Sequence, residues 1–233
     1  MSFDPIPYVF IWSDNYKVFA DPLKRSLQHY SSDLIDQSQY IPQSEFDKTT
    51  YKVNGHFLNG CFIKLEKTLE CLYTLPEDSY FIFSDADIII FQNKKLIELL
   101  NFYRLIHADI VFMRESLVND TSNIGFSLIR VNDHNRMLFQ NALSIGKSDP
   151  TSLDQTVVNR ALKQYTGSHY YFPSELVMTS STIMELESRS LTNFFTHTRP
   201  NCIVYQPLCD PTQSKEGVFQ QKLSQYRQLN VPI

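Results

Sequence analysis

Glycine is scarce in this chain. Six occur in 233 residues, Gly55, Gly60, Gly125, Gly146, Gly167 and Gly217, and none falls into a G-x-G-x-x-G fingerprint or a P-loop. A glycine-rich phosphate cradle is therefore excluded. The four cysteines, Cys61, Cys71, Cys202 and Cys209, show no C-x-x-C spacing, which removes a zinc knuckle and a dithiol redox pair. No apolar run reaches the length of a membrane span, and the opening M-S-F-D-P-I-P has no signal-peptide pattern. A soluble, reduced, cytoplasmic protein is expected, in which the Asn119-Asp120-Thr121 sequon has no glycosylation role. Runs of basic residues are also missing, and the formal charge of −4 argues against nucleic acid as a partner.

What is present is an ordinary globular composition, 42% hydrophobic and 13% aromatic, enough for a substantial core. The most informative stretch runs from Tyr80 to Phe91, Y-F-I-F-S-D-A-D-I-I-I-F. Asp85 and Asp87 interrupt a run otherwise suited to a fully buried strand. In extended geometry they share one face, roughly 6–7 Å apart along the chain. Two like charges that close among apolar neighbours need a positive partner, and hard oxygen ligands favour Mg²⁺ or Mn²⁺. A solvated turn at a strand end is the plainer alternative.

Around that stretch the chain alternates strands and helices, the pattern of an open α/β sheet. Tyr8 to Trp12 reads as a buried first strand, Ser13-Asp14-Asn15-Tyr16 as a loop, and Phe19 to Tyr30 as a helix. Such a loop lies at the C-terminal strand edge, where open sheets bind ligands. Asp14 and Asn15 suit a base edge and Tyr16 a stacked base; S-D-N serves equally well as turn and cap chemistry. Leu34 to Asp47 is expected to hold one short strand. Phe57 to Leu75 is expected to be a helix with Phe62, Leu65, Leu69 and Leu72 on one stripe, leaving Lys64 and Lys67 off it and in solvent. Further helices are expected over Asn93–Arg104, Asn132–Leu143, Gln155–Tyr165 and Gly217–Leu229, and strands over Asp109–Arg114 and Asn123–Arg130. Gly125 marks a close approach of backbone or ligand. Short strands are expected between Thr166 and Arg189, and His197 falls in a late polar loop. No repeat or linker appears, so residues 1–233 read as one domain.

Taken in order, these segments resemble the GT-A glycosyltransferases, most nearly the retaining group that includes glycogenins and bacterial lipopolysaccharide galactosyltransferases. Asp14-Asn15-Tyr16 looks like the uridine-binding opening, Phe62-Ile63-Lys64-Leu65 like the F-x-K-L helix segment, and Asp85-Ala86-Asp87 like the D-x-D motif. Asn123-Ile124-Gly125 is similar to the N-x-G strand entry, and Asp154-Gln155 with Asn159 to the D-Q…N helix start. His197 corresponds to the late histidine of the metal shell. The group's following glycine and lysine are replaced here by Thr198-Arg199-Pro200-Asn201, so Arg199 is the candidate phosphate contact.

The resemblance implies a single-domain, Rossmann-like α/β fold with a mixed, mostly parallel sheet. It also implies transfer of a sugar from a UDP-sugar to a saccharide or glycan acceptor, with retention. Mn²⁺ or Mg²⁺ would be held by Asp85, Asp87 and His197. The donor would be contacted by Asp14, Asn15, Tyr16, Lys64, Asp85, Ala86, Asn123, Gly125 and Arg199, and Asp154 and Gln155 would stabilise its sugar. Two alternatives stand beside it. A haloacid dehalogenase-type phosphatase or phosphotransferase also uses D-x-D after an apolar strand, but at its first strand and with a later acidic pair. An inactive nucleotide-sugar-binding protein would keep the pocket without the chemistry.

Overall fold

The computed structural model describes residues 3–29, 32–46, 52–53, 56–57, 59–118, 120–149, 151–182, 201–207 and 215–231. Its centre is a mixed sheet. Strand β1 (Ile6–Trp12) is followed by a short 3₁₀ turn (Asp14–Tyr16) and helix α1 (Lys17–Gln28). Strands β2 (Leu34–Asp36) and β3 (Gln39–Tyr40) and a helical turn α2 (Gln43–Phe46) come next, where one short strand was expected. A small hairpin of β4 (Lys52–Val53) and β5 (His56–Phe57) precedes helix α3 (Asn59–Thr74), so the helix starts two residues later than its apolar pattern suggests.

The remaining elements are β6 (Tyr80–Ser84), β7 (Ile89–Ile90), α4 (Asn93–Leu105), β8 (Ile110–Arg114) and β9 (Ser122–Arg130). After them come α5 (Asp133–Ser148), α6 (Asp154–Leu162), β10 (His169–Tyr171), β11 (Val177–Thr179), β12 (Val204–Gln206) and α7 (Lys215–Gln228). The main sheet runs β10-β8-β9-β6-β1-β2, with β3 also on β1. Every pairing in it is parallel except those of β9, which is antiparallel to both neighbours. A smaller sheet runs β11-β12-β7. The expected α/β architecture is borne out.

Strand β6 shows why the sequence folds this way. Its alternate residues feed two cores: Phe81 and Phe83 pack with Leu65 and Leu72 of α3, Leu138 of α5 and Val157 of α6. Tyr80 and Ile82 pack on the other side with Leu23 and Leu27 of α1 and Leu96 and Leu100 of α4. A strand covered on both faces needs a continuous apolar run, which Y-F-I-F supplies. Each such side chain contributes roughly 1.5–3 kcal/mol on burial, enough to anchor a charged turn at the strand's end. Helix α5 runs on to Ser148, past the expected Leu143, and Asn132 proves to be its cap rather than its first residue, with Oδ1 accepting from Asn135 N at 2.9 Å. Gly146 sits under Phe62 of α3: a Cβ there would lie 2.9 Å from the Phe62 ring, so close helix packing offsets the roughly 1 kcal/mol that glycine costs a helix. Among the described residues no helix is long and apolar enough to cross a membrane.

One expectation needs correcting. The buried strand does not continue through Asp85-Ala86-Asp87; β6 ends at Ser84, a turn follows, and β7 joins the smaller sheet. The two aspartates thus sit on a turn between sheets, not on one strand face. Breaking the ladder there leaves room for groups from distant elements to reach them.

Candidate active site

Strands β1 and β6 are parallel neighbours, with Phe10 level with Ser84, so the 3₁₀ turn and the Asp85–Asp87 turn leave the same edge of the sheet. Strand β9 enters at that edge: Phe126 pairs with Ser84, and Asp85 N donates to Gly125 O at 2.8 Å. Helix α6 is tied there by Asn159, whose side chain accepts from Ser122 N at 2.9 Å and donates to Ser122 O at 2.8 Å. One sheet edge thus gathers Asp14-Asn15-Tyr16, Asp85-Ala86-Asp87, Asn123-Gly125 and Asp154-Gln155.

Lys64 is the hub. It lies off the apolar stripe of α3, yet it is buried and does not reach solvent as expected. Its ammonium donates to Asp85 Oδ1 at 2.6 Å and lies 3.7 Å from Asp154 Oδ2. Burial opposes its charge, but the Asp85 and Asp154 carboxylates outweigh burial and hold its pKa above the usual lysine value. Nearby, burial and the Asp154 charge push the Cys61 thiol well up, which makes it a poor nucleophile.

Two residues that the sequence did not single out complete the setting. Gln206, at the end of β12, donates through Nε2 to Asp85 Oδ2 at 2.6 Å. It also explains Gly125, since a Cβ at that position would lie 2.3 Å from the Gln206 amide. The close approach expected at Gly125 is therefore made by a side chain of the protein itself. Lys222, on α7, donates to Asp87 Oδ2. Asp87 is buried, and burial raises its pKa against the lowering influence of Lys222. Its other oxygen, Oδ1, has no hydrogen-bond partner among the described residues.

The other candidates are arranged more loosely. Asp14, Asn15 and Tyr16 are exposed, and the Asp14 carboxylate accepts from Tyr40 OH at 2.9 and 3.0 Å. The Tyr16 ring packs 5.6 Å from that of Phe19. Asn123 is turned inward: its Oδ1 accepts from Gly125 N at 2.6 Å and its Nδ2 donates to Glu115. Asp154 opens α6, where its Oδ1 accepts from Gln155 N at 2.9 Å. Gln155 lines a shallow cavity of about 250 Å³ with Thr121, Thr156, Asn159, Arg160 and Lys163. His197 and Arg199 lie outside the described residues, and among those described no third His, Cys, Asp or Glu joins the aspartate pair.

The pair nevertheless suits a divalent cation. Two carboxylates lie on one turn at the end of a buried strand, and one oxygen, Asp87 Oδ1, is desolvated and without a hydrogen-bond partner among the described residues. Fold and site together accord with the GT-A resemblance read from the sequence. The sequence agrees: residues 63–216, well over half the chain, match the model of the nucleotide-diphospho-sugar transferase family, and the chain belongs to that family. Membership removes the phosphatase alternative.

Solved structures bear out the fold. The chain is similar to the galactosyltransferase LgtC in complex with donor and acceptor sugar analogs, with TM-score 0.58, 14% identity, and 97% of this chain and 95% of that one covered. It is also similar to a glycosyltransferase involved in glycosylation of the major capsid of PBCV-1, with TM-score 0.57, 8% identity, and 94% and 100% covered. A third is the glycosyltransferase GlyE of Streptococcus pneumoniae TIGR4, with TM-score 0.57, 13% identity, and 97% and 64% covered. No curated protein sequence matches the chain.

Proposed function

We propose that the protein is a metal-dependent transferase that moves a sugar from a UDP-sugar to a saccharide or glycan acceptor with retention. The observation that carries this reading is the Asp85–Asp87 turn, where Lys64 ties the first carboxylate toward Asp154 and the second keeps a buried, unpartnered oxygen. Mn²⁺ or Mg²⁺ held by Asp85 and Asp87, with His197, supplies positive charge against the diphosphate leaving group. Lys64 adds a fixed charge beside it, already desolvated and so needing no reorganisation. Tyr16 stacks on uracil, with Asp14 and Asn15 at the base edge and Tyr40 fixing the Asp14 carboxylate. Asn123 and Gly125 shape the floor under the donor, and Ala86 keeps the turn between the aspartates small. Arg199 is assigned to the diphosphate.

Donor choice is tested by melting. UDP with Mn²⁺ is expected to raise the melting temperature, since ligand at about 100 times its Kd contributes roughly 2.7 kcal/mol. GDP and CMP are expected to leave it unchanged. Equal shifts with all three nucleotides would sink the uridine assignment.

Retention rests on Asp154 and Gln155. An inverting enzyme needs a carboxylate base beside the acceptor hydroxyl, opposite the leaving group. Asp154 instead has Oδ1 on the Gln155 N–H and Oδ2 facing Lys64, so both oxygens are already engaged. Gln155 has no basic function but offers both donor and acceptor atoms to sugar hydroxyls. An α-linked donor is therefore expected to give an α-linked product. Proton NMR of the first product reads this directly, and a β-anomeric coupling would restore Asp154 as a base. The same spectra report UDP release, which separates an enzyme from an inactive binding protein.

A further inference from the structure

The inward face of α7 carries Phe219, Leu223 and Tyr226, packed with Phe19 of α1 and Tyr205 of β12. Lys222 stands on that same face, three residues after Phe219 and four before Tyr226, where an apolar residue is the rule. Its side chain is 12% exposed and that of Asp87 1%, so the ion pair is almost dry. The ammonium also lies 5.7 Å from the centre of the Tyr16 ring. Lys222 therefore connects the base platform to the inner aspartate.

A divalent cation bound at Asp87 would meet this ammonium at short range in a poorly screened site, where like charges repel strongly. Lys222 on Oδ2 therefore opposes a cation at the unpartnered Oδ1 and weakens its binding. We propose that Lys222 is a tethered counter-ion that holds Asp87 in the metal-free enzyme and competes there with a divalent cation. The inference rests on the metal site proposed above. Such coupling is reciprocal: whatever the Lys222–Asp87 pair contributes to the metal-free protein is subtracted from its affinity for metal. The device keeps the buried Asp87 carboxylate from being left bare when the site is unloaded. It also sets metal entry against a cation that stands beside Tyr16.

Lys222→Met, which keeps length and loses charge, tests the exchange in the full-length protein without nucleotide. Mn²⁺ binding is read from the electron paramagnetic resonance of the free ion, and stability from melting in EDTA and in excess Mn²⁺. The variant is expected to bind Mn²⁺ about tenfold more tightly or better, the scale of coupling between close desolvated charges. It is also expected to melt below the native protein in EDTA, with the gap closing in Mn²⁺. If Lys222→Met does not fold, Lys222→Gln keeps a hydrogen bond to Asp87 and carries the same measurement. Equal Mn²⁺ affinity in native protein and variants overturns the exchange and leaves the metal site standing. Absence of Mn²⁺ binding in all of them overturns the metal site, and the exchange with it.

Discussion

Asp87→Asn is expected to lower Mn²⁺-dependent sugar transfer by at least about 10²–10³-fold, or roughly 2.7–4 kcal/mol of lost electrostatic stabilisation, while the protein still melts cooperatively. Asparagine keeps the shape of the side chain and can still accept from Lys222, so the turn between β6 and β7 has no reason to rearrange. What it loses is the anionic oxygen pair that a hard cation requires. Stability is expected to fall, but by less than the about 3–5 kcal/mol that removing one partner of a buried pair costs, because two effects oppose. Lys222 gives up a charged partner, but burial of the Asp87 carboxylate is itself unfavourable, as its raised pKa records, and the neutral amide removes that cost. Initial rates with Mn²⁺ and a calorimetric melt check both halves. A near-normal rate would remove the proposed metal role of the turn.

Much of the frame was legible from short-range pattern. Y-F-I-F predicts a strand covered on both faces because a short, aromatic-rich apolar run that follows the turn residues Pro76-Glu77-Asp78 favours a buried strand over a buried helix, and Phe81 and Ile82 do face opposite cores. Leu65, Leu69 and Leu72 of the predicted stripe on α3 pack into the core beside β6, while Phe62 packs on Gly146 of α5. Three features were not legible, for different physical reasons. The end of β6 at Ser84 depends on β7 being captured by β12, a pairing more than a hundred residues away in the chain. Gln206 ends a short, otherwise apolar strand, and its importance arises only because β12 delivers it across Gly125. Burial of Lys64 likewise needs Asp85 and Asp154, one on a turn and one at a helix start, to converge on it.

Lys222 is different, because a local signal for it exists. Phe219, Lys222, Leu223 and Tyr226 follow the i, i+3, i+4, i+7 spacing, so the lysine falls within an apolar helical face. A charged residue there is either misplaced or paired with a buried opposite charge, and Asp87 is that charge. The same test fails for Lys64, which lies off its stripe and looks solvated by pattern alone. Periodicity thus finds a buried cation only when the helix buries one continuous face. It misses one held by carboxylates from other elements.

Lys64→Met is expected to be strongly destabilising. Methionine fills similar volume, so the loss is electrostatic: Asp85 loses the ammonium at 2.6 Å and Asp154 the one at 3.7 Å, with the Lys64 side chain only 9% exposed. Removing one partner of a fully buried ion pair costs about 3–5 kcal/mol. Asp85, at 37% side-chain exposure, recovers some hydration, and Gln206 still bonds its other oxygen, so about 2–4 kcal/mol is the expected loss. In a chain of this size that is a fall of roughly 5–15 °C in melting temperature. The pH dependence follows from the raised lysine pKa. A base whose folded value lies above its unfolded one stabilises fully below the unfolded value, here 10.5, and loses that contribution only as pH rises through the folded value. The difference between native and variant is therefore expected to hold across neutral pH and to shrink only in strong alkali. Melting curves of both proteins from neutral to alkaline pH test this, and a gap under about 1 kcal/mol at pH 7 would mean that Lys64 is a solvated surface lysine rather than the hub of the site.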